Sequence, residues 1–134
     1  QLSNAQVFNM IAHKASLELF DEAGMKALVK KSRAMTTFLE DLIKTECLIQ
    51  TGYKIKIITP ASIDERGSQL SILVQKKGEE LFKKMTEAGF IVDWRSPNVI
   101  RVAPAPLYNT FEEVYKLAAF LSECCFYQEL NNKK

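Results

Sequence analysis

Histidine is nearly absent: His13 is the single one in 134 residues. Cysteine is scarce, at Cys47, Cys124 and Cys125, and no pair has C-x-x-C spacing. These two shortages exclude a zinc site, and no metal ligands are expected. An odd number of thiols without a disulfide-like spacing suits a reducing compartment, so the expected location is the cytoplasm. Five glycines and four prolines are too few for a collagen-like or low-complexity chain. No apolar run approaches the roughly 20 residues of a membrane span. No basic-then-apolar leader is recognisable. An excess of one charge is missing as well. The chain has 18 Lys+Arg against 16 Asp+Glu, a formal net charge of +2. The basic residues alternate with acidic ones instead of forming a stripe, so neither nucleic acid nor a membrane is expected as a partner. Lys30, Lys31 and Arg33 are the densest cluster and read as a solvated helix face. Lys76, Lys77, Lys83 and Lys84 are answered by Glu79, Glu80 and Glu87.

The familiar catalytic signatures are missing too. No G-x-S-x-G, P-loop or G-x-G-x-x-G occurs. His13 lies in an amphipathic stretch and reads as a surface or packing residue. Asp64-Glu65 and Glu112-Glu113 are sequence neighbours whose side chains diverge, which does not suit an acid/base pair. Cys124-Cys125 reads as two small helix residues, one inward and one sideways.

What is present is an ordinary globular composition, 47% hydrophobic and 25% charged. One domain of this size can bury a core without a metal or disulfide staple. The sequence starts at Gln1, almost directly on an amphipathic segment, which suggests a piece cut from a longer chain.

Ser3 or Asn4 can cap a helix from about Ala5, with Val7, Met10, Ile11, Ala15 and Leu19 on one stripe. Gly24 breaks it, with Asp21 as a local turn or cap residue. Met25, Leu28, Ser32, Met35, Leu39 and Leu42 form the stripe of a second helix, and Thr51-Gly52 ends the region. The period then changes to alternation. Strands are predicted at 54–57, 69–74, 90–94 and 99–103. A short helix opens at Gly78 and closes at Ala88-Gly89. Pro104 and Pro106 end the last strand. A final helix carries Thr110 and Glu113 as a capping box and Phe111, Val114, Ala118 and Leu121 as its stripe.

The order α-α-β-β-α-β-β-α predicts an α+β fold. A small four-stranded antiparallel or mixed sheet would have helices packed mainly on one face. Residues 1–50 read as linker and long helices, and 51–134 as the α+β small domain, one compact unit overall.

One segment carries specific chemistry: Arg95-Ser96-Pro97-Asn98-Val99-Ile100-Arg101-Val102-Ala103-Pro104-Ala105-Pro106-Leu107-Tyr108-Asn109-Thr110. In a strand, Ile100 and Val102 point one way and Arg101 and Ala103 the other. If the apolar pair faces the helices, Arg101 is presented on the opposite face as a fork for a carboxylate or phosphate. The prolines stiffen the backbone just after it. An ordinary ion-paired surface arginine remains open on these residues alone.

This segment resembles the C-terminal signature of the kynureninase family, R-x-P-x-x-I-R-V-A-P-x-P-L-Y-N-[ST]-F. Ile58-Thr59-Pro60 with Glu65-Arg66-Gly67-Ser68-Gln69-Leu70 resembles that family's ITP…ERG-x-Q-L stretch. Leu2-Ser3-Asn4 and Ala15-Ser16-Leu17-Glu18-Leu19-Phe20 resemble its S-N-P-P…A-S-L-x-I-F run. Gly24-Met25-Lys26-Ala27-Leu28 and Lys31-Ser32 also fit. The likeness thus runs in order over nearly the whole chain. It departs at Ala5, where the family usually has Pro, and at Val99, where it often has Gly.

The resemblance implies the C-terminal small domain of an enzyme of the aspartate-aminotransferase superfamily that uses pyridoxal 5'-phosphate (PLP). That family hydrolyses kynurenine or 3-hydroxykynurenine to alanine and anthranilate or its 3-hydroxy form, in tryptophan catabolism leading toward NAD biosynthesis. It implies Arg101 as the arginine for the substrate α-carboxylate, and Asn4, with Ser3 beside it, near the cofactor. Arg66, Arg95 and Tyr108 fall in matched motifs and are expected to serve ion pairs and helix anchoring.

The Schiff-base lysine belongs to the family's large domain. Neither Lys14 nor Lys54 stands in a matching context. No catalytic residue is therefore expected in this chain, and alone it should be inactive. The expected partners are the large domain of the same enzyme and a second subunit in a homodimer. Three other readings stay open: the small domain of a class V aminotransferase or cysteine desulfurase, a stand-alone carboxylate-binding module, and a purely structural interaction domain. The preference between the two substrates rests on residues outside the chain. The first helix is expected to expose apolar surface.

Overall fold

A computed structural model of the chain describes residues 6–47 and 53–131, with side chains through 126. Two helices come first, α1 (Val7–Ala23) and α2 (Met25–Leu42), and α2 runs on into a π-helical turn, Ile43–Cys47. Then follow β1 (Ile55–Ile57), a 3₁₀ turn (Ile63–Glu65), β2 (Leu70–Val74), α3 (Gly78–Glu87), β3 (Asp93–Arg95), β4 (Val99–Val102) and α4 (Phe111–Asn131). The predicted order is observed, and the fold is α+β. The sheet has four strands in the order β1-β2-β4-β3, and every neighbouring pair is antiparallel.

Alternation along the strands decides which side is covered. Ile55, Leu70, Ile72, Val74, Ile100 and Val102 are buried on one face. Against them lie Met35 and Leu39 of α2, Leu81 and Met85 of α3, and Val114, Leu117, Ala118 and Leu121 of α4. Lys56, Ser71, Leu73, Val99 and Arg101 alternate onto the other face and are exposed or half-buried. Leu39, Ile43 and Cys47 share this core with the sheet, so the second helix is part of the same packed unit.

Several predicted boundaries move. The third strand was expected over 90–94 but pairs only from Asp93. Register would set Val92 and Ile91 opposite Val102 and Ala103, but the pairing stops at Asp93–Arg101, and β4 itself ends at Val102, two residues before Pro104. The residues before Asp93 are used otherwise. The Phe90 N–H closes α3 onto the Met85 carbonyl at 2.9 Å. The Phe90 ring packs on Phe120 at 5.3 Å, and Ile91 is fully exposed.

Asp21 is no turn residue. α1 continues through Ala23, and Gly24, at φ 77°, makes the break with its N–H on the Phe20 carbonyl. The expected caps Ser3 and Asn4, and the expected stop at Thr51-Gly52, lie outside the described residues. The stripe of α1 has helical spacing but is not covered by the described residues: none of its residues is buried, and Phe8 is 88% exposed. The expected exposed apolar surface is there. In α4, Phe111 is half-exposed and packs edge-on against Phe38 instead of joining the stripe.

The basic cluster on α2 does more than meet solvent. Lys31 Nζ donates to the Asn109 carbonyl at 2.9 Å, and Arg33 pairs with Asp64 at 2.9 Å. Deeper in, Arg66 Nη1 meets Glu40 Oε2 at 2.5 Å, with side chains only 4% and 8% exposed. Lys44 Nζ caps the other oxygen at 2.6 Å. Arg66 therefore has the ion-pair role expected of it, and Glu40 is its partner.

Burial pushes the Glu40 carboxyl up, but the hydrogen bonds and charges of Lys44 and Arg66 outweigh it, and the net shift is down. The folded chain thus binds this proton less readily than the unfolded one. The stabilisation is complete above pH 4.5, the ordinary value, and drains away as pH falls through the lowered one.

Two predictions follow from this packing, both read by urea unfolding of the 134-residue chain. Arg66→Ala takes one of two cationic partners from a buried carboxylate, leaving Lys44 alone, and is expected to cost about 2–3 kcal/mol. Glu40→Gln should flatten the acid limb of the stability–pH curve below pH 4.5. An Arg66→Ala loss under about 0.5 kcal/mol, typical of a surface pair, contradicts the buried pair. A Cβ at Gly78 would lie 2.9 Å from the Trp94 ring, which itself packs on Phe82 at 5.8 Å. Gly78→Ala is expected to destabilise by about 1–3 kcal/mol through overpacking; no loss would mean that the indole moves freely.

Candidate functional site

Arg101 sits in the middle of β4, the strand flanked by β2 and β3. Its register partners are Ser71 on β2 and Asp93 on β3. Partners in register share a face. The open face therefore carries the row Ser71, Arg101, Asp93, with the row Leu73, Val99, Arg95 beside it. Ile100 and Val102 flank Arg101 on the buried face, at 1% and 6% exposure. These two anchor the backbone that presents the guanidinium.

Asp93 is the residue that reading the chain missed. Its carboxylate accepts from Arg101 Nε at 2.5 Å, and the same oxygen lies 3.0 Å from Arg95 Nε. The Arg101 guanidinium holds the Asp93 carboxyl below the usual aspartate range, with Arg95 adding to the effect. The signal was available. A turn centred on Pro97 places 95 opposite 99, 94 opposite 100 and 93 opposite 101. Of the three guanidinium nitrogens of Arg101, it is Nε that makes the hydrogen bond to Asp93.

The segments around this row are tied down. After β4, the Asn109 side chain accepts from the Ala105 N–H at 2.8 Å and donates to Glu113 at 3.3 Å. Glu113 accepts from the Thr110 N–H at 2.8 Å, and its own N–H donates to Thr110 Oγ1 at 3.2 Å. That is the predicted capping box. The Thr110 N–H and the Asn109 amide hold the Glu113 carboxyl low. Tyr108, expected to anchor this helix, is 72% exposed; the neighbouring Asn109 does that work.

On the other flank, Thr59 Oγ1 accepts from the Ser71 N–H at 2.7 Å. The Ser68 hydroxyl meets Ser32 at 2.6 Å, and its carbonyl accepts from Thr36 at 3.3 Å. The 58–71 segment is thereby fixed to α2. A shallow hollow of about 320 Å³ is lined by Thr59, Arg66, Gln69 and Ser71 among others, and Arg101 does not line it. The larger groove, about 530 Å³, lies between 88–92, Pro104 and α4, and Arg101 does not line it.

The remaining candidates divide cleanly. Ser3 and Asn4 lie outside the described residues. Cys124 and Cys125 are both buried, so the expected sideways thiol is not observed. Burial raises the Cys124 thiol, and a hydrogen bond with Cys47 together with burial raises Cys125. Neutral core thiols are poor nucleophiles. His13 is exposed on α1. Among the described residues no group of His, Cys, Asp and Glu could hold a metal. No described helix is long and apolar enough to cross a membrane. What this face offers is two guanidinium groups, Arg101 and Arg95, around one aspartate, a cluster suited to a small carboxylate.

The family model of the kynureninase C-terminal domain matches residues 28–121, which include Asp93 and Arg101. The chain is 43% identical over 123 residues to the kynureninase of Christiangramia forsetii, covering 92% of the chain and 29% of that protein. It is 45% identical over 121 residues to the kynureninase of Myxococcus xanthus, covering 90% and 28%. It thus spans under a third of these curated relatives. Among solved structures, a C-DES mutant with glycine covalently linked to its PLP cofactor superposes with a TM-score of 0.65 at 17% identity, over 81% of the chain and 27% of that structure. An acetylornithine aminotransferase from Elizabethkingia anophelis gives 0.58 at 19% identity, over 85% and 27%. The fold is shared with both. The matched motifs, their order and the one-sided sheet that presents Arg101 agree: the chain belongs to the kynureninase C-terminal domain family.

Proposed function

We propose that this chain serves a PLP-dependent kynureninase as its C-terminal part, and that Arg101 binds the substrate α-carboxylate. The observation that carries the reading is the Arg101 side chain on the sheet face opposite the core, hydrogen-bonded to Asp93 through Nε, so that the edge formed by its two Nη atoms is not the one Asp93 takes. Such a fork pairs bidentately with a carboxylate. Holding the amino acid at this point sets the angle of the bond to be cleaved against the cofactor. Bound PLP supplies an electron sink for that cleavage. The open face offers a carboxylate fork and no enclosed cradle for a cofactor ring and phosphate, so PLP would be held chiefly by residues outside the chain, with Ser3 and Asn4 at its edge.

The substrate is kynurenine or 3-hydroxykynurenine, and the products are alanine and the matching anthranilate. The partners are the large domain of the same enzyme and a second subunit, in the cytoplasm. Residues 1–50 then form the connection from the large domain and 51–134 the small domain. The exposed Val7, Phe8, Met10 and Ile11 of α1 are what a covering large domain would bury.

In the full-length enzyme, Arg101→Ala is expected to raise KM for kynurenine about 100-fold by removing two charge-assisted hydrogen bonds. An unchanged KM excludes the carboxylate role. A full-length protein that binds PLP and leaves kynurenine intact would instead be acting as an aminotransferase or desulfurase. The purified 134-residue chain is expected to show no kynurenine turnover with added PLP; sustained turnover would place catalytic residues in this chain.

A further inference from the structure

An arginine that must bind a free carboxylate meets a difficulty on this sheet, because a protein carboxylate already sits on it. Asp93 and Arg101 are directly opposed across β3 and β4, and the contact is made at Nε, 2.5 Å from Oδ2. A guanidinium offers a carboxylate two edges, Nε with one Nη or the two Nη together. Asp93 uses up the first edge and leaves the second. Left alone, Asp93 would also cancel the charge that draws a substrate anion. Arg95, 3.0 Å from the same Oδ2, offsets that. Two arginines around one aspartate keep the cluster at +1. Arg95 also restrains the aspartate, through the same oxygen that Arg101 holds. The Arg101 side chain is 30% exposed, and the ion pair with Asp93 restricts the rotamers still open to its solvent-facing part.

We propose that Asp93 is a positioning residue for substrate recognition: held by Arg95, it fixes Arg101 by Nε so that the two Nη atoms receive the substrate carboxylate end-on. This rests on the reading of Arg101 as the carboxylate ligand. It adds a residue whose contribution is orientation, and it sets which edge of the guanidinium the substrate uses.

The test uses the full-length holoenzyme. Asp93→Asn, Arg101→Lys and the double variant are compared with wild type for kcat and KM on kynurenine. Calorimetric Kd is measured for a non-reactive substrate analogue and for its carboxamide counterpart. Asp93→Asn is expected to raise KM and the carboxylate Kd about tenfold, with kcat within about twofold and the carboxamide Kd unchanged. In the Arg101→Lys background the same change should alter Kd by less than about twofold, because the bond it supports is gone. Asp93→Glu, which keeps the charge, should recover most of the lost affinity.

Wild-type Kd and KM for Asp93→Asn overturn the proposal. So does an equal loss in both backgrounds, which would be a general structural effect. Failure of the underlying reading looks different: Arg101→Lys then keeps the wild-type preference for the carboxylate over the carboxamide.

Discussion

One-sided burial of β4 is the constraint on which the rest depends. Ile100 and Val102 enter the core and Arg101 cannot follow them, because strand side chains alternate. A slip of one residue would send the guanidinium into the apolar layer and bring two apolar side chains out. Burying an unpaired charge costs far more than any strand contact returns. The core therefore fixes the register, and the register places Ser71 and Asp93 on either side of Arg101. Stability and presentation of the site come from the same alternation.

The segments that carry the family likeness divide by task. The 58–71 stretch is structural. Its arginine closes onto Glu40 inside the protein, its serine joins α2, and Thr59 holds the start of β2. The 99–110 stretch is presentational. Its first part sets Arg101 on the open face, and its second, through Asn109, Thr110 and Glu113, starts α4 cleanly. α4 in turn supplies Val114, Leu117 and Leu121 to the core beneath β4. The helix cap and the exposed arginine thus belong to one rigid unit.

How much of this was legible follows from how local each feature is. Strand alternation, the Thr110 capping box and the outward Arg101 depend on neighbours within a few residues, and all three could be read. The Glu40–Arg66 pair joins residues 26 positions apart, and nothing local names the partner. The early end of β3 was missed because Phe90-Ile91-Val92 has strand-like residues. Their ladder is forgone for contacts distant in sequence, such as Phe90 on Phe120. α1 shows the opposite limit: its period is helical, but period cannot say whether a stripe has a partner. Asp93 was legible by counting outward from Pro97. It was passed over because an acidic strand residue reads as ordinary surface until its register partner is known.

The two uncovered surfaces point to one arrangement. α1 exposes Val7, Phe8, Met10 and Ile11, an apolar face that none of the described residues covers. The open side of the sheet exposes a braced, positively charged cluster. Each alone has a bland explanation, since surface leucines and surface ion pairs are common. Together they match a domain that must be held by one face while offering another. An arginine that orients a small substrate is useful only if its distance to the reacting atoms is fixed to a fraction of an ångström. A rigid sheet fixes the arginine within the domain, and an apolar contact area fixes the domain against whatever holds those atoms. For a chain that spans 29% of a kynureninase relative, the proposed carboxylate role of Arg101 therefore needs the apolar face of α1 as much as the guanidinium itself.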